Sequence, residues 1–160
     1  MSERDDVLNY RTGPESEIGL DDGERLIATF EPDPARYWRD HVSLAAFFGA
    51  AAMVVLLILG KPDQIVTGVL AAFAAIAFRA VFFRSEALAR RWRLTDRRLL
   101  GPQARAMMLL EVKQARRLMG DVQIVTVGGG KHLLRHMADP QGVIDAVMAA
   151  RADRAERVAE

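Results

Sequence analysis

The run VSLAAFFGAAAMVVLLILG, from Val42 to Gly60, decides the fold of this chain, because its 19 residues carry no formal charge. A helix of about 20 mainly apolar residues crosses the hydrocarbon layer of a bilayer. The segment KPDQ, residues 61–64, interrupts the run, and a second apolar run extends from Ile65 to Phe83. Its one charge, Arg79, lies near the end, where a long side chain reaches the lipid head groups. The sequence therefore predicts a transmembrane helical hairpin over residues 42–83.

A pair of core helices in a soluble protein is the alternative interpretation of the same two runs. It is disfavoured because a chain of 160 residues rarely carries two such uncharged runs back to back. A cleavable signal peptide is not expected either, since the first run begins behind a long acidic lead. We therefore expect the first helix to remain as an uncleaved anchor.

Charge is distributed unevenly around the predicted hairpin, although the formal net charge of the chain is only +1. Residues 1–24 contain eight acids against two arginines, and residues 79–117 contain eleven bases against three acids. We expect residues 1–41 to form an acidic segment with a short strand at 25–30, and residues 1–19 of it to be disordered. Residues 84–160 then form a small domain with a C-terminal helix.

The charges next to the hairpin predict its orientation. The turn between the helices offers Lys61, which Asp63 balances, whereas arginines are concentrated on both outer flanks. By the positive-inside rule, both termini are expected in the cytoplasm. Small residues, among them Gly49 and Gly68, provide a face on which the two helices can pack closely.

The domain after Arg84 shows the alternation of short strands. Trp92 and Leu94 fall on one face of the first strand, and Arg91 and Arg93 on the other, which we expect to be exposed. Further strands are predicted at 98–100, 106–112, 114–119, 122–127 and 131–137, with turns between them. Asp139-Pro140 is typical of a helix start, with aspartate as the N-cap and proline at the first helical position. The pattern predicts a small antiparallel barrel or sandwich followed by a helix.

Four segments of this domain match a known family in order and spacing: WRLTDRRLL (92–100), LEV (110–112), GDVQIVT (120–126) and ADP (138–140) with the following Val143-Ile144. Together with the Gly23-Glu24 turn and strand before the first helix, they resemble the bacterial pleckstrin-homology-like domain family. Membrane-bound members of that family carry one or two transmembrane helices before the domain. The resemblance implies a β-barrel-like sandwich capped by a C-terminal helix, with a core of Trp92, Leu94, Ile124, Val143 and Val147.

The same resemblance implies a function without catalysis, because the family shares no catalytic residues. Related membrane proteins with this domain include assembly factors of photosynthetic complexes in purple bacteria. We therefore expect a membrane-anchored interaction module of the bacterial inner membrane, acting as an accessory or assembly factor of a protein complex. An anionic-lipid-responsive module and a homo-oligomeric membrane scaffold remain the alternatives.

Searches for catalytic and metal-binding patterns in the sequence lead to no site. The absence of cysteine excludes disulfides, cysteine-ligated zinc, iron–sulfur clusters and thiol catalysis. His132 and His136 lie four residues apart, but on a strand that spacing is about 13 Å, too far for a shared metal ion. None of the four serines lies in a nucleophile elbow. We expect no enzyme activity, no cofactor and no metal.

Gly128-Gly129-Gly130-Lys131 has the glycines and lysine of a phosphate-binding loop but not its full pattern. The loop requires an earlier glycine and a hydroxyl residue after the lysine, and those positions hold Val125 and His132. A hairpin turn is therefore the better interpretation.

The basic stretch from 84 to 117 is the strongest polar signal in the chain. It would contact anionic lipid head groups, or dock an integral-membrane partner or a second copy of the chain. Nucleic-acid binding is not expected, because Trp92 is the only aromatic residue there and belongs to the core face. The candidate lipid- or partner-facing residues are Arg84, Arg90, Arg91, Arg93, Arg97, Arg116 and Arg117.

Overall fold

The computed structural model describes residues 18–160, so the disorder predicted for residues 1–19 lies outside it except at Ile18 and Gly19. The described chain forms two compact units. Residues 34–87 make a helical unit, and residues 18–33 together with 88–160 make a sheet unit. The helical unit is thus inserted, in sequence, within the sheet unit.

Two long helices make up the helical unit: α1 (Pro34–Ile58) and α2 (Ile65–Leu88), with a short 3₁₀ turn at Pro62–Gln64 between them. Both helices extend beyond the predicted hairpin of 42–83, by eight residues at the start and five at the end. Proline is well tolerated in the first turn of a helix, and no further proline follows Pro34 before Pro62. At the other end, α2 continues to Leu88, and the first strand after the helices begins at Trp92.

Direct contacts join α1 to α2 along their length. The Tyr37 hydroxyl donates a hydrogen bond of 2.7 Å to the carbonyl oxygen of Ala80. Gly49 faces the Phe73 ring so closely that an added Cβ would lie 2.7 Å from a ring carbon. Gly68 faces Leu56 in the same way. The predicted small-residue face therefore supplies two of the contacts between the helices.

Most of the apolar surface of the two helices remains exposed. Only 11% of the most apolar stretch of α1 and 6% of that of α2 is buried. Ile58 and Phe78, for example, are 79% and 72% exposed. Both helices are long and apolar enough to cross a membrane.

The sheet unit contains a four-stranded antiparallel sheet in the order β1-β2-β3-β4. Its first strand, β1 (Leu26–Phe30), precedes the helices, whereas the other three follow them. These are β2 (Trp92–Thr95), β3 (Arg98–Gly101) and β4 (Arg105–Met108). The short strand predicted near residues 25–30 is present, and it pairs with β2 through Thr29 opposite Arg93 and Phe30 opposite Trp92.

A second, three-stranded antiparallel sheet contains β5 (Val112–Leu118), β6 (Asp121–Thr126) and β7 (Lys131–Leu134). The Gly128–Gly130 segment turns β6 into β7, so the hairpin interpretation of this glycine run is confirmed. The predicted strand 106–112 was wrong in its second half, where a 3₁₀ turn at Leu109–Glu111 separates β4 from β5. The strand predicted to reach Met137 ends at Leu134.

The last element is the helix α3 (Pro140–Ala159), which begins where the sequence predicts. Asp139 is its N-cap, because its carboxylate oxygen accepts a hydrogen bond of 3.0 Å from the amide of Gly142. Pro140 occupies the first turn, where the lack of an amide proton costs nothing. Val143, Val147 and Ala150 are its buried apolar residues.

One apolar core joins the two sheets to α3. All five residues predicted for it belong to this core and are buried: Trp92, Leu94, Ile124, Val143 and Val147. Gly101 on β3 makes room for the Trp92 ring, since an added Cβ would lie 2.6 Å from a ring carbon. The buried members that the sequence analysis did not name are Leu99, Met107, Leu109, Val112, Val122, Leu134, Met137 and Ala150.

The position of Val147 in this core predicts the effect of a charge there. Val147→Asp should lower the free energy of unfolding by several kcal/mol, because it buries a carboxylate without a partner. The total free energy of unfolding of such a domain is roughly 5–15 kcal/mol. Ala149→Asp is the matched control, since Ala149 is exposed on the same helix. Urea unfolding followed by Trp fluorescence measures both, and equal midpoints would contradict the docking of α3.

Candidate functional site

The arginines that the sequence nominates do not form one surface. Arg84 lies on α2 in the helical unit, whereas Arg90 belongs to the sheet unit, and both are exposed. Within the sheet unit, Arg97 lies in the turn between β2 and β3. Arg116 and Arg117 are exposed on β5, in the other sheet, where the Arg116 side chain donates a 2.9 Å hydrogen bond to Gln123.

The prediction that Arg91 and Arg93 are exposed was wrong, because both are half-buried. The Arg91 guanidinium lies 3.7 Å from the carboxylate of Glu31, and that of Arg93 donates a hydrogen bond to the carbonyl of Ile18. The segment before the helices lies beside β2 and supplies these partners. The alternation of the strand correctly predicted that the two arginines lie on the face opposite Trp92. It could not predict that the segment before the helices covers that face.

The most completely bonded polar cluster in the sheet unit is formed by Asp21, Glu24, Thr95 and Arg98, which we call the clamp. The Glu24 side chain is fully buried, and the Arg98 guanidinium binds it with two bonds of 2.9 and 2.7 Å. The Thr95 hydroxyl and the Asp21 amide also donate to the Glu24 carboxylate, at 2.7 and 2.8 Å. Asp21 adds its own carboxylate, 3.0 Å from Arg98.

Local structure aims these groups at one another. The turn at Asp21–Glu24 is closed by a 2.9 Å backbone hydrogen bond, and Gly23 occupies its left-handed position with φ of 71°. On the other side, the Thr95 hydroxyl oxygen accepts hydrogen bonds from the amides of Arg97 and Arg98 at 3.2 and 2.9 Å. Two tight turns, one before and one after the helices, therefore meet at the Glu24 carboxylate.

The clamp keeps its carboxylate ionised. The Arg98 hydrogen bonds above all, with the Asp21 amide and Thr95, hold the pKa of Glu24 at about 2, although burial opposes this. The same pairing raises the pKa of Arg98. A carboxylate held in this way, with its oxygens already bonded, is a structural group rather than a general base.

Asp96 adds two hydrogen bonds to the connection between the segment before the helices and the β2–β3 turn. Its carboxylate accepts a 2.9 Å hydrogen bond from the Arg25 amide, and its own amide donates to the Arg25 carbonyl at 3.0 Å. The Arg25 amide, more than the nearby Arg157 guanidinium at 3.6 Å, lowers the pKa of Asp96. The segment 21–25 is therefore bound to the β2–β3 turn along its whole length.

Sequence reasoning missed the clamp. Both of its turns were predicted, but the partners Glu24 and Arg98 are 74 residues apart, and no spacing rule links them. The signal present in the sequence is a glutamate two residues before an edge strand. In the structure, this glutamate binds the arginine of the Thr95–Arg98 turn. Only the pairing of β1 with β2 brings the two together.

The histidines occupy different settings. His132 lies on β7 and, with Glu111 and Thr126, lines a cavity of about 510 Å³. His136 follows β7 with a left-handed φ of 58°, and its amide donates a 2.9 Å hydrogen bond to the Asp121 carboxylate. The absence of a metal site shared by these two residues therefore remains a prediction.

Comparison of this chain with protein-family models, with curated proteins and with solved structures found no match. The pleckstrin-homology-like resemblance therefore remains a prediction. The function has to be inferred from the residues and contacts described above.

The low pKa of Glu24 predicts how stability depends on pH. Its folded pKa, about 2, is below the ordinary 4.5, so its contribution is complete above pH 4.5 and is lost as the pH falls toward 2. Glu24→Gln should therefore cost up to about 3 kcal/mol at pH 7 and progressively less below pH 4.5. Urea midpoints of both proteins at pH 7, 4 and 3, followed through Trp92 fluorescence in a Trp38→Phe background, measure this.

Glu111→Gln is the control for the loss of one carboxylate, because Glu111 is exposed. It should change the midpoints little at any pH. A Glu24→Gln deficit that stays constant from pH 7 to pH 3 would contradict the assignment of the clamp as an ion pair.

Proposed function

We propose that this protein is a two-helix protein of the bacterial inner membrane, and that α1 and α2 are its transmembrane hairpin. The exposed apolar surface of both helices supports this proposal, because only about a tenth or less of their most apolar stretches is buried. Lipid chains cover such a surface at no cost, whereas water does not.

The same proposal places both termini in the cytoplasm. It is supported by the adjacency of β1 and β2, which is the observation that carries the topology. The chain runs from β1 into α1, and from α2 into β2. Both outer ends of the hairpin are therefore connected to one folded unit. In this proposal those ends lie on the same side of the membrane, and the arginines near them favour the cytoplasm as that side.

The sheet unit is, in this proposal, a pleckstrin-homology-like domain that acts as a non-catalytic interaction module. Support comes from its two antiparallel sheets and C-terminal helix, the order of elements that the resemblance implies. Its clamp, the most fully bonded polar cluster of the unit, consists of groups already bonded to one another. The module would serve as an accessory or assembly factor of an inner-membrane complex.

The β5–β6 hairpin offers the docking surface. Arg116 and Arg117 are exposed there, and the tip that follows exposes Leu118 by 38% and Met119 by 98%. Arginine and methionine are both enriched at protein interfaces, and methionine adapts to irregular partner surfaces. We propose that this tip contacts an acidic surface with an apolar centre on an integral-membrane partner.

The topology is tested by labelling, because the chain has no native cysteine. Asp63→Cys, in the turn between the helices, should react with an impermeant thiol reagent added to intact spheroplasts. Ser2→Cys should react only after the membrane is opened. The reverse pattern would contradict the placement of both termini in the cytoplasm.

The docking surface is tested by co-purification of the tagged full-length chain from mild detergent. Arg116→Glu with Arg117→Glu should remove co-purifying subunits, since it reverses the charge that meets an acidic partner. Arg105→Glu with Lys131→Glu changes the charge equally at exposed positions elsewhere in the unit and should remove none.

Two results would contradict the proposed surface. One is the same set of subunits with both double variants. The other is full-length protein that binds anionic but not neutral liposomes through Arg116 and Arg117, while the co-purifying subunits do not depend on these two arginines. That result would favour the lipid-responsive alternative.

A further inference from the structure

The sheet unit also contains a concave site, which is separate from the exposed β5–β6 tip. It is a cavity of about 270 Å³ where the β2–β3 turn, the end of β4 and the middle of α3 come together. Its walls are formed by Asp21, Arg97, Arg98, Met108, Leu110 and Arg154. All of them belong to the sheet unit, so the site does not depend on membrane insertion.

Two of its three arginine side chains form no hydrogen bond or ion pair within the part of the chain that the structure describes. Arg98 is committed to Glu24 and Asp21 in the clamp. The guanidinium groups of Arg97 and Arg154, by contrast, form no hydrogen bond or ion pair with any residue that the structure describes. Both side chains are half-buried, so water solvates them less well than it does a surface arginine.

The charges around the cavity leave a net positive site. Three arginines face it, and the nearest carboxylates are Asp21 in its wall and Glu24 behind Arg98. Asp96 acts on Arg97 through space but is hydrogen-bonded to the Arg25 amide and lies 3.6 Å from Arg157. The three arginines therefore outnumber the carboxylates that line or back the cavity, and an anion placed between Arg97 and Arg154 would offset the excess of positive charge.

The wall beside the arginines is apolar. Met108 and Leu110 line the cavity and are 53% and 43% exposed. Neither belongs to the buried core, although their neighbours Met107 and Leu109 do. An apolar group of a ligand would cover this surface and gain the corresponding transfer free energy.

We propose that this cavity binds an amphiphilic anion, a phosphate or carboxylate group that carries a short alkyl chain. Arg97 and Arg154 bind the anionic oxygens, with the forked geometry that guanidinium groups offer to phosphate and carboxylate. Met108 and Leu110 contact the alkyl chain. The same chemistry is offered by an anionic lipid at the membrane and by a soluble alkyl phosphate.

Calorimetric titration of the full-length chain in nanodiscs of zwitterionic phosphatidylcholine tests this proposal, with hexyl phosphate and inorganic phosphate as probes. Hexyl phosphate should bind saturably, one per chain, and about tenfold or more tightly than inorganic phosphate. Arg97→Gln with Arg154→Gln should weaken hexyl phosphate about tenfold or more. Met108→Ser with Leu110→Ser should abolish the preference for the alkyl chain.

Arg105→Gln with Lys131→Gln is the matched control, because it removes the same charge at exposed positions outside the cavity and should leave binding unchanged. Unchanged urea midpoints would verify that the Arg97/Arg154 variant is folded. Nanodiscs that contain phosphatidic acid distinguish the sources, since a lipid ligand should then compete with hexyl phosphate and a soluble one should not. The proposal is overturned by the absence of saturable binding, by equal affinity for both probes, or by binding that survives loss of both arginines.

Discussion

The buried ion pair of Glu24 and Arg98 is the interaction on which the arrangement of this chain depends. It connects the segment before the two apolar helices to the first turn after them, across 74 residues of sequence. The Glu24 side chain is fully buried, so its charge is tolerated only because Arg98, Thr95 and the Asp21 amide bind it together. Removing one partner leaves a buried charge uncompensated, which is why this contact specifies the closure of the sheet.

This closure explains how one small domain accommodates a long helical hairpin. β1 and β2 are neighbours in the sheet, although α1 and α2 separate them in sequence. The hairpin is thus an insertion between adjacent strands, and its two outer ends are held by the same unit.

The sequence predicted the features that local chemistry determines. The uncharged run from Val42 predicted a long apolar helix, and Asp139-Pro140 predicted the start of α3, because an N-cap and a first-turn proline act within a few residues. Alternation placed Trp92 and Leu94 in the core. The apolar run could not give the true ends of the helices, since the residues from Ala35 to His41 are mostly polar and aromatic yet contain no proline or glycine.

Non-local features were beyond that reasoning. Whether Arg93 is exposed depends on Ile18, which lies 75 residues away and supplies the acceptor carbonyl. The cavity of Arg97 and Arg154 likewise joins a turn to the middle of a helix, so only the folded chain shows that these two arginines line one site. Arg116 and Arg117 are exposed on β5, and their contact with a lipid or a partner stays a prediction.

The pairing of β1 with β2 across the helical hairpin is the central claim, and a designed disulfide tests it most directly. Thr29→Cys with Arg93→Cys places the only two cysteines at directly paired positions, and a protease site inserted at residues 61–64 separates the two strands after cleavage. The account predicts that oxidised, cleaved protein in membranes stays in one piece until reductant is added. Two fragments without reductant, as expected for the unpaired control Thr29→Cys with Arg116→Cys, would contradict it.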